Sequence, residues 1–137
     1  MKMSNPRAKI LVIDDDQDFK KVISIMLESE SYEVVTAKNP QEAKKQLLAE
    51  KPDLILLDIM MDSIFDGYSL CHDIKTSHEF KELRETPIIF VSAVKEKSGS
   101  RFAFDTNQYG LKEPDDYIDK PVQPEDLFLR IEKLLKK

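Results

Sequence analysis

Five apolar runs punctuate the chain: "KILVI" (9–13), "YEVVTA" (32–37), "DLILLD" (53–58), "PIIFVS" (87–92) and "DYID" (116–119). Residues 10–13, 54–57 and 88–91 are apolar without a polar break. A strand with one wet face alternates, whereas an unbroken run fits a strand covered on both faces, as in a parallel sheet. Helical patterns lie between the runs. Phe19, Val22, Ile23, Met26 and Leu27 recur at the spacing of one helix face. "NPQEAKKQLL" offers Asn39 as N-cap, Pro40 at the first helical position and Glu42 three residues after the cap. Ala43 and Leu47 then point one way. "GYSLCHDIK" puts Leu70, Cys71 and Ile74 together. "PEDLFLRIEKLLKK" opens on Pro124, is expected to bury Leu127, Ile131 and Leu134, and ends in lysines suited to a helix C-terminus. One more helix is expected around 98–108, in a segment that also carries Gly99, Gly110 and Pro114.

Strand and helix therefore alternate from end to end. This predicts an α/β domain with a parallel, doubly wound sheet, right-handed crossovers and helices on both faces. In such folds the site lies outside the carboxyl ends of the strands. The polar groups at those ends are Asp14 and Asp15 after the first run, Asp58 after the third, Ser92 after the fourth and Asp119-Lys120-Pro121 after the fifth. Carboxylates gathered in this number repel unless a cation offsets them. Their oxygens suit a hard ion such as Mg²⁺, which takes one or two carboxylates together with waters and a phosphate oxygen. A lysine is no ligand, but Lys120 is suited to negative charge arriving on a bound group, and the Ser92 hydroxyl to a hydrogen bond with it. Cation, ammonium and hydroxyl together describe a pocket for a phosphoryl group. A carboxylate beside that pocket is a nucleophile able to form an aspartyl phosphate.

Composition narrows the alternatives. The 137 residues suit one domain, with 41% hydrophobic and 34% charged residues, the balance of a globular protein. A net charge of −5 implies no broad basic face, which argues against nucleic acid or an anionic membrane as the main partner. Cys71 is the lone cysteine, so neither an internal disulfide nor a cysteine metal site is available. No run reaches membrane-spanning length, and the expected address is cytoplasmic. The only glycines, Gly67, Gly99 and Gly110, cannot build a dinucleotide fingerprint or a P-loop.

The pieces "ILVIDDD", "PDLILLDIMM", "DG" at 66–67, "TPIIFVSA" and "DDYIDKPV" follow one another in the order found in CheY-like receiver domains of two-component response regulators. The chain resembles that family over about residues 9–135, as a single receiver domain across 1–137. The resemblance implies a flavodoxin-like sheet of order 2-1-3-4-5. It implies Asp58 as phosphoacceptor and metal ligand, and Asp14 and Asp15 as the acidic pair, with Asp15 the more direct Mg²⁺ ligand. Met60 would give its backbone carbonyl to the metal. Ser92 takes the place of the switch hydroxyl, Tyr117 that of the switch aromatic, and Lys120 that of the site lysine, followed by Pro121 in a peptide that is often cis. The donor would be a phosphohistidine on a sensor histidine kinase or phosphotransfer protein, and the output an unidentified protein or domain. Such a domain is no enzyme beyond its own phosphorylation and dephosphorylation. Two departures stand out. The loop after Asp58 reads "MDSIFDG", with Asp62 where proline is common and one extra residue. The stretch between Ser92 and Lys120 is several residues longer than the family's and lacks its usual Ala-Gly-Ala.

Plainer roles are expected elsewhere. Asp16 reads as a helix cap, Cys71 as a small core residue, and His72 and His78 as solvated surface. Two other functions compete. One is a receiver-fold scaffold that signals without phosphate. The other is an aspartate-nucleophile phosphatase, which would need an acid two residues after the nucleophile, where this chain has Met60.

Overall fold

The unbroken apolar runs become the middle of a sheet. In the computed structural model, which describes residues 7–59, 64–92 and 113–136, all five residues of β3 (Leu54–Asp58) and of β4 (Ile88–Ser92) are buried. β1 (Lys9–Ile13) lies beside β3, β2 (Glu33–Ala37) forms one edge and β5 (Asp116–Asp119) the other. The order is β2-β1-β3-β4-β5 and every pair is parallel, as expected. Between and after the strands run α1 (Gln17–Ser29), α2 (Pro40–Glu50), α3 (Ile64–Thr76) and α4 (Pro124–Leu135). The helix expected around 98–108 lies outside the described residues.

Successive strand side chains point to opposite faces, so one sheet feeds two cores. Leu11, Ile13, Ile55, Leu57, Ile88 and Phe90 pack against α2 and α3. Ile10, Val12, Leu54, Leu56, Ile89 and Val91 pack against α1 and α4. Cys71 belongs to the first core and is fully buried, which pushes its thiol up to about 12. The thiolate is the reactive form. Iodoacetamide at pH 8 is therefore expected to leave native Cys71 intact over hours and to modify it fully in urea. Rapid labelling of the native protein, followed by mass spectrometry, would contradict this packing.

The caps match the sequence. Asn39 Oδ1 accepts the Glu42 N–H at 2.8 Å, and Glu42 Oε1 accepts the Lys38 N–H at 2.8 Å. Asp16 caps α1 by accepting the Phe19 N–H at 3.2 Å. Three details differ from the expected pattern. On α1, Val22 is 52% exposed, while Lys20 joins Ile23 and Leu27 in the buried stripe. The lysine stem is apolar enough to lie along a core. Leu134 is only half-buried at the end of α4, and His72 is half-buried on α3, although His78 is exposed as expected. A kinked 3₁₀ segment, His78–Leu83, also follows α3 and buries Phe80 and Leu83; six residues are too few to show a helical period. At the opposite end of the sheet from the strand termini, Arg7 donates to Glu132 at 2.8 Å and covers the Tyr32 ring at 4.7 Å.

Candidate functional site

Parallel strands deliver their carboxyl ends to one edge, and the aspartates meet there. Asp14, Asp15 and Asp58 each bring a carboxylate oxygen to within 4.8 Å of the others. Asp58 ends β3 and is 4% exposed, Asp14 follows β1 and is 1% exposed, and Asp15 is exposed. Burying like charges together is costly. The surroundings offset part of that cost at Asp14. Its Oδ1 accepts the Asp16 N–H at 2.9 Å, at the very start of α1, and its Oδ2 accepts from Lys120 Nζ at 3.2 Å. The helix N-terminus is electropositive, so both partners set positive charge against this carboxylate. A donor set made only of oxygens fits a hard divalent cation, with Asp14, Asp15 and Asp58 as the residues that would hold it.

Lys120 arrives from the far end of the chain. β5 stops at Asp119, which pairs in register with Ser92, and the Lys120 N–H donates to the Ser92 carbonyl at 2.7 Å. The next peptide, Lys120–Pro121, is cis. The strand pairing and the Lys120 N–H bond fix the backbone of Lys120 beside the end of β4. Its ammonium then reaches Asp14, and it also sits 4.2 Å from the centre of the Phe19 ring.

Ser92 is fully buried at the end of β4, one residue beyond Val91, the register partner of Asp58. Tyr117 is half-buried on β5. Its ring meets Phe90 edge to face at 5.7 Å, and Phe90 in turn meets Tyr68 at 4.8 Å. An aromatic chain thus runs from the edge strand into the core under α3. Met60 lies outside the described residues.

The family model for the response regulator receiver domain matches residues 10–132. The chain belongs to that family. This receiver is 33% identical over 135 residues to the probable transcriptional regulator ycf27 of Pyropia yezoensis, covering 98% of this chain and 50% of the relative. It is 36% identical over 129 residues to the transcriptional regulatory protein ResD of Bacillus subtilis (strain 168), covering 94% of this chain and 48% of the relative. The receiver spans about half the length of these curated relatives. Among solved structures, a putative response regulator from Chloroflexus aurantiacus J-10-fl matches with a TM-score of 0.78 at 27% identity, over 97% of this chain and all of that one. No helix among the described residues is long and apolar enough to cross a membrane.

Of the residues singled out from sequence, the structure brings Asp14, Asp15, Asp58 and Lys120 together, with Ser92 on the neighbouring strand end. Asp16 is the cap it was expected to be. Two residues of the receiver's site region escaped the sequence reading. Phe19 was read only as a core-face residue, although its place in the first turn of a helix that starts at the site was a usable hint. Gly67 was noted as one of three glycines and as part of a family dipeptide, but not as a point of close approach. A Cβ there would fall 2.6 Å from the Ile59 Cα, next to Asp58.

Proposed function

We propose that this receiver accepts a phosphoryl group on Asp58 from the phosphohistidine of a sensor histidine kinase or phosphotransfer protein, with Mg²⁺ held by Asp14, Asp15 and Asp58. The observation that carries the proposal is the convergence of three carboxylates within 4.8 Å, two of them buried, around a site whose lysine contacts one of them. When bound, the cation offsets the carboxylate charge and polarises a phosphoryl oxygen. In the transfer, an Asp58 oxygen forms a bond to phosphorus as the P–N bond of the donor breaks, and the electron pair leaves on the imidazole. Lys120 supplies a fixed positive charge where the equatorial oxygens gather negative charge. Ser92, buried on the adjacent strand, would donate a hydrogen bond from its hydroxyl to the new phosphoryl group. Tyr117 would follow by shifting along Phe90, changing the face formed by β5 and its neighbours. That is a local charge event biasing a two-state element. Met60 as a further carbonyl ligand rests on the family resemblance alone.

The relatives named as transcriptional regulators are about twice as long as this chain. By that likeness the proposed output is control of transcription through a segment or partner other than this domain. The receiver itself, at a net charge of −5, is not proposed to touch nucleic acid or to insert in a membrane, and its proposed address is the cytoplasm.

The test is intact mass after incubation with Mg²⁺ and acetyl phosphate. One phosphoryl adduct is expected on the parent, with none on Asp58→Asn and none when the metal is chelated. If the parent stays unmodified, beryllofluoride binding separates a phosphate lost too fast to see from a site that never takes one. Failure of both would favour a phosphate-independent scaffold.

A further inference from the structure

The Lys120 ammonium has two neighbours of different chemistry, the buried Asp14 carboxylate at 3.2 Å and the face of the Phe19 ring at 4.2 Å. Four contacts close into a circuit. The Asp16 N–H holds Asp14 Oδ1, the Phe19 N–H holds Asp16 Oδ1, the Phe19 ring faces Lys120, and Lys120 returns to Asp14 Oδ2. The lysine and its carboxylate lie 106 residues apart in sequence, so only the folded sheet edge makes the circuit possible. The acidic cap that starts α1 thereby also sets where the aromatic ring stands.

Phe19 borders a cavity of about 320 Å³ shared with Val22, Met26, Pro121 and Val122. The ring presents its face to the ammonium. A lysine head on a four-carbon stem is otherwise mobile and strongly hydrated. The negative quadrupole of an aromatic face attracts a cation, and does so more strongly where water is excluded. The Lys120 side chain is 20% exposed, so most of it is withdrawn from water.

We infer that Phe19 is a positioning residue: its ring face, together with Asp14, holds the Lys120 ammonium at the carboxylate cluster, ready for the charge of an incoming phosphoryl group. Asp14 takes one N–H and the ring covers a second side, leaving a defined direction for a phosphoryl oxygen. The functional half of this inference rests on the reading of Asp58 as phosphoacceptor; the structural half does not.

Phenylalanine analogues with one, two and three ring fluorines at position 19 form the test, alongside Phe19→Leu and Phe19→Tyr. Each fluorine drains the ring face while changing its volume little. In the metal-free parent, the Lys120 ε-methylene protons are expected to resonate upfield through the ring current, a shift kept in Phe19→Tyr and lost in Phe19→Leu. The rate of phosphoryl acceptance from acetyl phosphate is expected to fall stepwise with fluorine count, by about three- to fivefold in all. Phe19→Leu should resemble the trifluoro protein and Phe19→Tyr the parent. A rate flat across the fluorine series, or an unshifted Lys120 signal in the parent, overturns the inference. If the parent accepts no phosphoryl group, the phosphoacceptor reading fails by itself, and the ring-current shift still decides whether Phe19 holds the ammonium.

Discussion

Gly67→Ala is expected to destabilise the fold by about 3 kcal/mol, seen as a melting point lower by roughly 10 °C. The position is in α3, where alanine would ordinarily gain about 1 kcal/mol over glycine. Here the added methyl would meet the Ile59 Cα at 2.6 Å, its Cβ at 3.1 Å and its Cγ2 at 3.2 Å. Backbone cannot yield as the end of a flexible side chain can. Ile59 is also fully buried, and its N–H donates to the Val91 carbonyl at 3.3 Å. Relief therefore requires α3 to lift from the sheet or the end of β3 to shift. Either movement disturbs Asp58, the residue just before Ile59. The variant should accordingly show two defects, a lower melting point by calorimetry and slower phosphoryl acceptance at a temperature where it is still folded. A melting point within about 2 °C of the parent would mean that the helix–strand approach has more slack than this geometry allows.

The glycine also shows what a sequence conceals. That β1, β3 and β4 would sit inside a parallel sheet was legible, because covering a strand on both faces removes every polar position from it. The placing of Asp14, Asp15, Asp58 and Lys120 at one edge was legible for a related reason: parallel strands all end on the same side, so strand-end residues must meet. Close approach is different. No hydrophobic period marks Gly67 as the point where an added Cβ would fall 2.6 Å from the Ile59 Cα. Lys20 was illegible because a binary pattern counts lysine as polar, though most of its side chain is hydrocarbon. The error displaced the buried stripe of α1 and put Val22 inside when it is outside. Phe19 was placed correctly on an apolar face, but periodicity assigns a face and not a partner. Its contact with Lys120 depends on how the edge strand β5 ends, which no local pattern in α1 reports.

Asp58→Asn is expected to melt higher than the parent when divalent cations are chelated, and to lose most of the stabilisation that Mg²⁺ gives the parent. Three carboxylates lie within 4.8 Å of one another, and the Lys120 ammonium beside them is already engaged by Asp14 and Phe19. At an effective dielectric near 20, a pair of unit charges at that separation repels by about 3 to 4 kcal/mol. Asp15 is exposed and Lys120 offsets part of the field, so removing the charge of Asp58 should gain roughly 1–2 kcal/mol. Asparagine keeps the side-chain shape and one acceptor oxygen, which limits the loss from any hydrogen bond that Asp58 makes. In the parent the same repulsion is what a bound cation relieves. With Mg²⁺ at a hundred times its dissociation constant, mass action stabilises the folded state by about 2.7 kcal/mol. The variant has two of the three carboxylates and should retain well under half of that shift. Thermal melting of both proteins, with chelator and with millimolar Mg²⁺, reads all four states at once. If the chelated variant melts no higher than the parent and Mg²⁺ moves neither, the charge at this edge is already compensated within the protein, and the cluster has no need of a metal. If the variant gains stability but Mg²⁺ still shifts it as strongly as the parent, the cation binds through Asp14 and Asp15 without Asp58. The proposed phosphoryl acceptor would then have no direct bond to the metal, and charge relief at Asp58 would have to come from Lys120, whose hold on Asp14 would have to loosen as the phosphoryl group arrives.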